Sequence, residues 1–114
     1  QHLMSRLSGS LSPSVGIADL IQALHPTPAV GGDPTEIAHR FLTLHEKFDR
    51  GWYAAPVGFI GHGEATFAVA IRSALFHDDT VSLYTGNGVV HGSSPNTEWA
   101  ELEAKVGCYF ESGG

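Results

Sequence analysis

Residues suited to chemistry cluster in the last third of the chain. Gly86-Asn87-Gly88-Val89-Val90 is followed, past Ser94-Pro95, by Glu98, Glu101 and Lys105. Glycines at the end of a strand let a ligand reach backbone N–H groups that a Cβ would screen; the same Gly-x-Gly spacing also suits a plain β-bulge. Glu98 and Glu101 are three apart and Lys105 four further on, so on a helix they share a face. Such spacing makes a solvated salt-bridge face. It also makes a carboxylate pair of the kind Mg2+ takes, with an ammonium beside it for an anionic substrate. The proximity of these carboxylates to the glycines favours a site for a small Mg2+-dependent anion.

Two residues upstream extend the set. Arg72 falls in an apolar stretch, where a guanidinium normally grips a carboxylate, whether an internal one or a ligand's. Tyr53, in Arg50-Gly51-Trp52-Tyr53, offers an aromatic hydroxyl to a ligand or to the core. His25, His39, His45, His62, His77 and His91 show no metal-ligand spacing.

The elements that position these groups can be read from periodicity. Residues 1–11 alternate loosely and suggest a strand carrying His2. Ser12-Pro13-Ser14 opens a short helix whose stripe of Ile17, Leu20, Ile21 and Leu24 stops ahead of His25-Pro26. Residues 25–32 form a loop stiff at its prolines and permissive at its glycines. Asp33-Pro34-Thr35-Glu36 then opens a helix expected to bury Ile37, Phe41, Leu44 and Phe48. From Pro56 the period becomes two: a strand over 57–61, a turn at His62-Gly63-Glu64, a second strand over 66–75, a turn at Asp78-Asp79, and a third over 81–90. In the second strand Phe67, Val69 and Ile71 share one face, and Ala68, Ala70 and Arg72 the other. Ser94-Pro95 starts the final helix. Strands in a run predict an α+β fold with an antiparallel meander and packed helices.

Bulk properties narrow the class. The chain has 114 residues, enough for one domain at most, with 42% hydrophobic and 16% charged residues, the balance of a globular protein. A net charge of −6 without a basic cluster argues against nucleic acid. The single Cys108 cannot form an internal disulfide, and no apolar run reaches the ~20 residues of a membrane span. These features fit the cytoplasm, or a plastid stroma if a leader preceded Gln1. The start at Gln1, without Met and within a strand-like stretch, suggests that residues 1–114 are part of a longer domain.

Six collinear segments carry a resemblance to a known family: Gln1-His2-Leu3, residues 25–32 (His-Pro-Thr-Pro-Ala-Val-Gly-Gly), Arg50-Gly51-Trp52-Tyr53, residues 67–73, Gly86 to Val90, and Glu98-x-x-Glu101-x-x-x-Lys105. Together they resemble the C-terminal part of the chorismate-utilising enzymes, which include isochorismate, anthranilate, aminodeoxychorismate and salicylate synthases, over nearly the whole chain to about Val106. The resemblance implies that Tyr53 and Arg72 hold a chorismate carboxylate, with the Gly86 and Gly88 backbone and Lys105 in support. It implies Glu98 as a Mg2+ ligand, Glu101 in or beside the metal shell, and His2 against the reacting ring. Ala29 is similar to the residue at this place in isochorismate synthases, whereas relatives making anthranilate or salicylate carry Thr. The implied reaction is isomerisation of chorismate to isochorismate. The family's general base (a Lys), its general acid (a Glu) and a further metal-site Glu are expected upstream of Gln1. The chain alone is accordingly expected not to turn over chorismate. It should need the missing N-terminal part of the same fold as partner, unless it is another chorismate enzyme or a non-catalytic remnant that binds without catalysis.

Overall fold

The computed structural model describes residues 5–111. Four helices and four strands follow in the order α1 (Ile17–Leu24), α2 (Pro28–Gly31), α3 (Thr35–His45), β1 (Pro56–Ile60), β2 (Ala65–Val69), β3 (Ser73–His77), β4 (Thr80–Tyr84) and α4 (Pro95–Glu111). The class is α+β with antiparallel strand pairs, as the run of strands predicts.

The α1 helix begins where Asp19 Oδ2 accepts the Gly16 N–H at 2.8 Å, satisfying one of the donors a helix start leaves open. It ends at His25, whose extended backbone is what a following proline demands. Its stripe of Ile17, Leu20 and Ile21 faces Phe67 and Val69 of the first hairpin across an apolar gap of about 260 Å3. The proline-rich stretch after it, expected to be loop throughout, winds into the single turn α2. The α3 helix starts one residue later than the Asp33-Pro34 signal suggests, with Pro34 itself at the N-cap and no side-chain cap bond.

The strands depart from the expected meander. They form two separate hairpins, β1 with β2 and β3 with β4, each antiparallel. The expected strand over 66–75 breaks at Ala70–Arg72. The Ala70 N–H bonds the Ala55 carbonyl at 2.9 Å, and the Ile71 N–H turns back to Val69 O at 2.8 Å. Arg72 then takes a left-handed φ of 47°. That turn removes Arg72 from any ladder, so the alternation that continues through the sequence does not continue in the backbone. The expected third strand likewise ends at Tyr84, and residues 85–90 run on without regular structure. Residues 5–11 form no strand, since no described strand supplies them with partners; the rest of that expectation, with His2, lies outside the described residues.

Burial also differs from expectation. Ile37, Phe41, Leu44 and Phe48 are 58–69% exposed, because no described element covers that face of α3 and the segment after it. Among described residues the only buried hydrophobic side chain is Ala54. The chain exposes 10003 Å2, about 4,000 Å2 more than a compact protein of its mass. Its radius of gyration is 16.8 Å, against about 13 Å expected for this length. No helix among the described residues is long and apolar enough to cross a membrane.

Candidate functional site

Tyr53 is placed by a guanidinium anchor. Past α3, Arg50 clamps Glu46 through two bonds, Nη2 to Oε1 at 2.6 Å and Nε to Oε2 at 2.7 Å, and its Nη1 donates to Val30 O at 3.1 Å. A bidentate fork of this kind fixes direction as well as distance. It ties the turn α2 to the loop that carries Tyr53. Hydrogen bonding from Arg50 holds the Glu46 carboxyl below its ordinary pKa, and the same bond raises that of Arg50. The guanidinium carbon lies 5.9 Å from the Tyr53 ring centroid, at the outer reach of a cation–π contact. From below, the Ala54 N–H bonds Ala70 O at 2.9 Å, anchoring the loop on the first hairpin.

The Tyr53 ring lies nearly parallel to Tyr84, centroids 6.3 Å apart, and so meets the segment that leaves β4. There its hydroxyl approaches Gly86 so closely that a Cβ at Gly86 would collide with it. This contact requires glycine. At Gly88 a Cβ would meet nothing within 4 Å, so the close-approach argument holds for only one of the two.

Lys105 closes the arrangement from α4. Its ammonium, on a side chain 20% exposed, donates to Asn87 Oδ1 at 2.5 Å and Gly86 O at 3.1 Å, and pairs with Glu101 Oε1 at 2.7 Å. Three acceptors match the three ammonium donors. Asn87 turns its Nδ2 to the Glu98 carbonyl. The spacing of Glu98, Glu101 and Lys105 therefore does make a salt bridge, between Glu101 and Lys105, and the same ammonium reaches the glycine segment.

Ala29, Arg50, Tyr53, Thr85, Gly86 and Asn87 line a cavity of about 440 Å3, a size usual for small-molecule sites. Buried at its edge, Thr85 Oγ1 has no hydrogen-bond partner among the described residues. Gly88 lines an adjoining cavity together with Ala29 and Asn87. The structure thus groups Ala29, Tyr53, Gly86, Gly88 and Lys105, with Glu98 and Glu101 next to them on α4. Arg72 is not among them: it stands exposed at its bend and lines neither cavity that Tyr53 lines.

Three participants lay outside the expected site residues: Glu46, Arg50 and Asn87. Glu46 and Arg50 carry the ordinary signal of opposite charges four apart. Asn87 had no signal beyond being polar between two glycines.

The donors suit magnesium to a defined extent. No three His, Cys, Asp or Glu side chains among the described residues are placed to hold a metal by themselves. Mg2+ needs only one or two protein carboxylates, filling its shell with water and substrate oxygens. Glu98 and Glu101 supply two carboxylates on α4, and that of Glu101 is paired with Lys105 at 2.7 Å.

A cavity of about 440 Å3 lined by Tyr53 and the Gly86-Asn87 segment, with Lys105 of α4 bonded to that segment, sits on an α+β scaffold. The family model described as chorismate binding enzyme matches residues 1–111, and the chain belongs to that family. It is 48% identical over 113 residues to isochorismate synthase 2, chloroplastic, of Arabidopsis thaliana, covering 98% of this chain and 20% of that protein. It is 46% identical to isochorismate synthase MenF of Bacillus subtilis, covering 93% of this chain and 23% of that protein. It is 44% identical to the salicylate biosynthesis isochorismate synthase of Pseudomonas aeruginosa, covering 98% of this chain and 24% of that protein. The chain thus spans about a fifth to a quarter of these relatives. The family match runs to Glu111, past the Val106 at which the sequence motifs end.

Proposed function

We propose that residues 1–114 supply the carboxylate-binding and metal-binding side of an isochorismate synthase, which converts chorismate to isochorismate. The observation that carries this is the bonding of Lys105 to the Gly86-Asn87 segment, which together with Tyr53 lines one cavity, in a chain of the chorismate binding enzyme family.

In this reading the Lys105 ammonium, held against the Gly86 carbonyl, takes one chorismate carboxylate in place of Glu101. Backbone N–H groups at Gly86 and Gly88 and the Tyr53 hydroxyl complete the anion contacts. Arg72 reaches the same carboxylate only if the exposed bend at 70–72 moves toward Tyr53. Glu98 and Glu101 are the residues to hold Mg2+, which when bound neutralises carboxylate charge and orients the ring. Water adds at C2 of the ring while the C4 hydroxyl leaves with a proton as water, so the atoms balance as an isomerisation. The base that activates the water and the acid that protonates the leaving hydroxyl lie outside residues 1–114, and His2 is assigned to the ring face. This segment binds and orients; the remaining part of the fold, its partner, supplies proton transfer and covers the exposed face of α3.

Product analysis of the full-length protein incubated with chorismate and Mg2+ tests the proposal. Isochorismate is the expected product, and removal of Mg2+ with a chelator should abolish its formation. Anthranilate or salicylate as direct product would overturn the assignment that rests on Ala29.

A further inference from the structure

We infer that Asn87 is a positioning residue, whose amide fixes the Lys105 ammonium and locks the start of α4 to the Gly86 segment. This rests on the assignment of Lys105 to a substrate carboxylate. Residues 85–90 belong to no sheet, so no ladder holds them in place. Asn87 replaces that support with two side-chain bonds to α4: Oδ1 accepts from Lys105 Nζ at 2.5 Å, and Nδ2 donates to the Glu98 carbonyl. The amide has one workable orientation. Flipped, it would set an NH2 against an ammonium and a carbonyl oxygen against a carbonyl oxygen.

The chemistry of the position admits few substitutes. Lysine carries its charge on a flexible stem, and ordering that stem costs entropy. Asn87 and the Gly86 carbonyl keep the stem ordered, so the ammonium is in place before substrate arrives; both are neutral, and the third partner, the Glu101 carboxylate, is the one a substrate carboxylate replaces. Their neutrality matters. A carboxylate at position 87 would hold the ammonium equally well while cancelling the charge that recruits an anion. It would also leave the Glu98 carbonyl facing an anion.

The test compares Asn87→Ala, Asn87→Asp and the control Lys105→Met in the full-length protein, reading KM and kcat for chorismate with the thermal midpoint. Asn87→Ala should raise KM about tenfold, the loss expected of one hydrogen bond to a charged group, with kcat changed less than about threefold. Asn87→Asp, nearly isosteric, should raise KM further than Asn87→Ala, and the excess should shrink as ionic strength rises. A structural role alone would lower the midpoint of both variants, without a KM order that follows charge or an excess that shrinks with salt. If Lys105→Met raises KM and both Asn87 variants match wild type, the inference is overturned and the carboxylate assignment stands. If Lys105→Met leaves KM unchanged, the assignment of Lys105 fails, and this inference with it.

Discussion

Substituting Gly86 by alanine probes the contact on which the candidate site turns. A Cβ there meets the Tyr53 hydroxyl oxygen in a collision, and the ring carbon bearing that oxygen stands 3.0 Å away. Tyr84 and Arg50 flank the ring, whereas the Gly86 segment is held by no sheet ladder. The irregular segment must therefore yield, carrying away the Gly86 carbonyl that holds Lys105. Overpacking of this kind costs about 1–3 kcal/mol, which in kcat/KM is a loss of roughly 5- to 150-fold. Gly88→Ala is the internal control, because its Cβ enters open space; it should stay within about 0.5 kcal/mol. Tyr53→Phe removes the colliding oxygen but not the ring carbon, so adding it to Gly86→Ala should restore only part of the loss. In a double-mutant cycle on kcat/KM of the full-length protein, the coupling should be about 1 kcal/mol. Equal losses for Gly86→Ala and Gly88→Ala would refute the geometry, as would additivity within about 0.5 kcal/mol.

Three further outcomes are expected. The Glu46 carboxyl has its pKa lowered in the folded chain, chiefly by hydrogen bonding from Arg50. The stability it adds is thus full above the unfolded value of about 4.3 and lost as pH falls through the folded one. Thermal midpoints of wild type and Glu46→Gln should differ at pH 7, by an amount worth at most about 1 kcal/mol for a partly exposed pair, and converge as pH falls through the lowered folded value. Glu98→Gln should raise the Mg2+ concentration for half-maximal activity at least tenfold, read by metal titration, whereas an unchanged titration would remove Glu98 from the metal site. Residues 1–114 expressed alone should fail to convert chorismate, self-associate and bind a hydrophobic dye through Ile37, Phe41, Leu44 and Phe48; sedimentation as a monomer with a sharp thermal transition would contradict this.

Local signals were legible where local physics sets the outcome. The proline after His25 ends α1 where expected, although the helix starts at Ile17 rather than at the Ser12-Pro13-Ser14 signal, and the glycine-bearing turn after Ile60 places the turn of the first hairpin to within a residue. The break at Ala70–Arg72 was not legible, because apolar alternation runs through it while the backbone turns on bonds to Ala55 and Val69. The strand expected over residues 1–11 and the buried face of α3 needed neighbours that the described residues do not provide. Within the site, Tyr53, Gly86 and Lys105 could be singled out by type and place. The bond from Asn87 to Lys105 spans 18 positions, and nothing in local spacing encodes a contact that depends on how α4 packs. Arg72 shows the converse, a side chain of the right chemistry set on a bend that points no other site residue toward it.

The central claim is that Lys105, against the Gly86 segment, receives a chorismate carboxylate. Calorimetric titration of chorismate into the full-length protein and its Lys105→Met variant, at fixed Mg2+ and low ionic strength, tests it directly. Binding at least tenfold weaker in the variant is expected at a temperature where both proteins are fully folded. Equal affinity in the two proteins would contradict it.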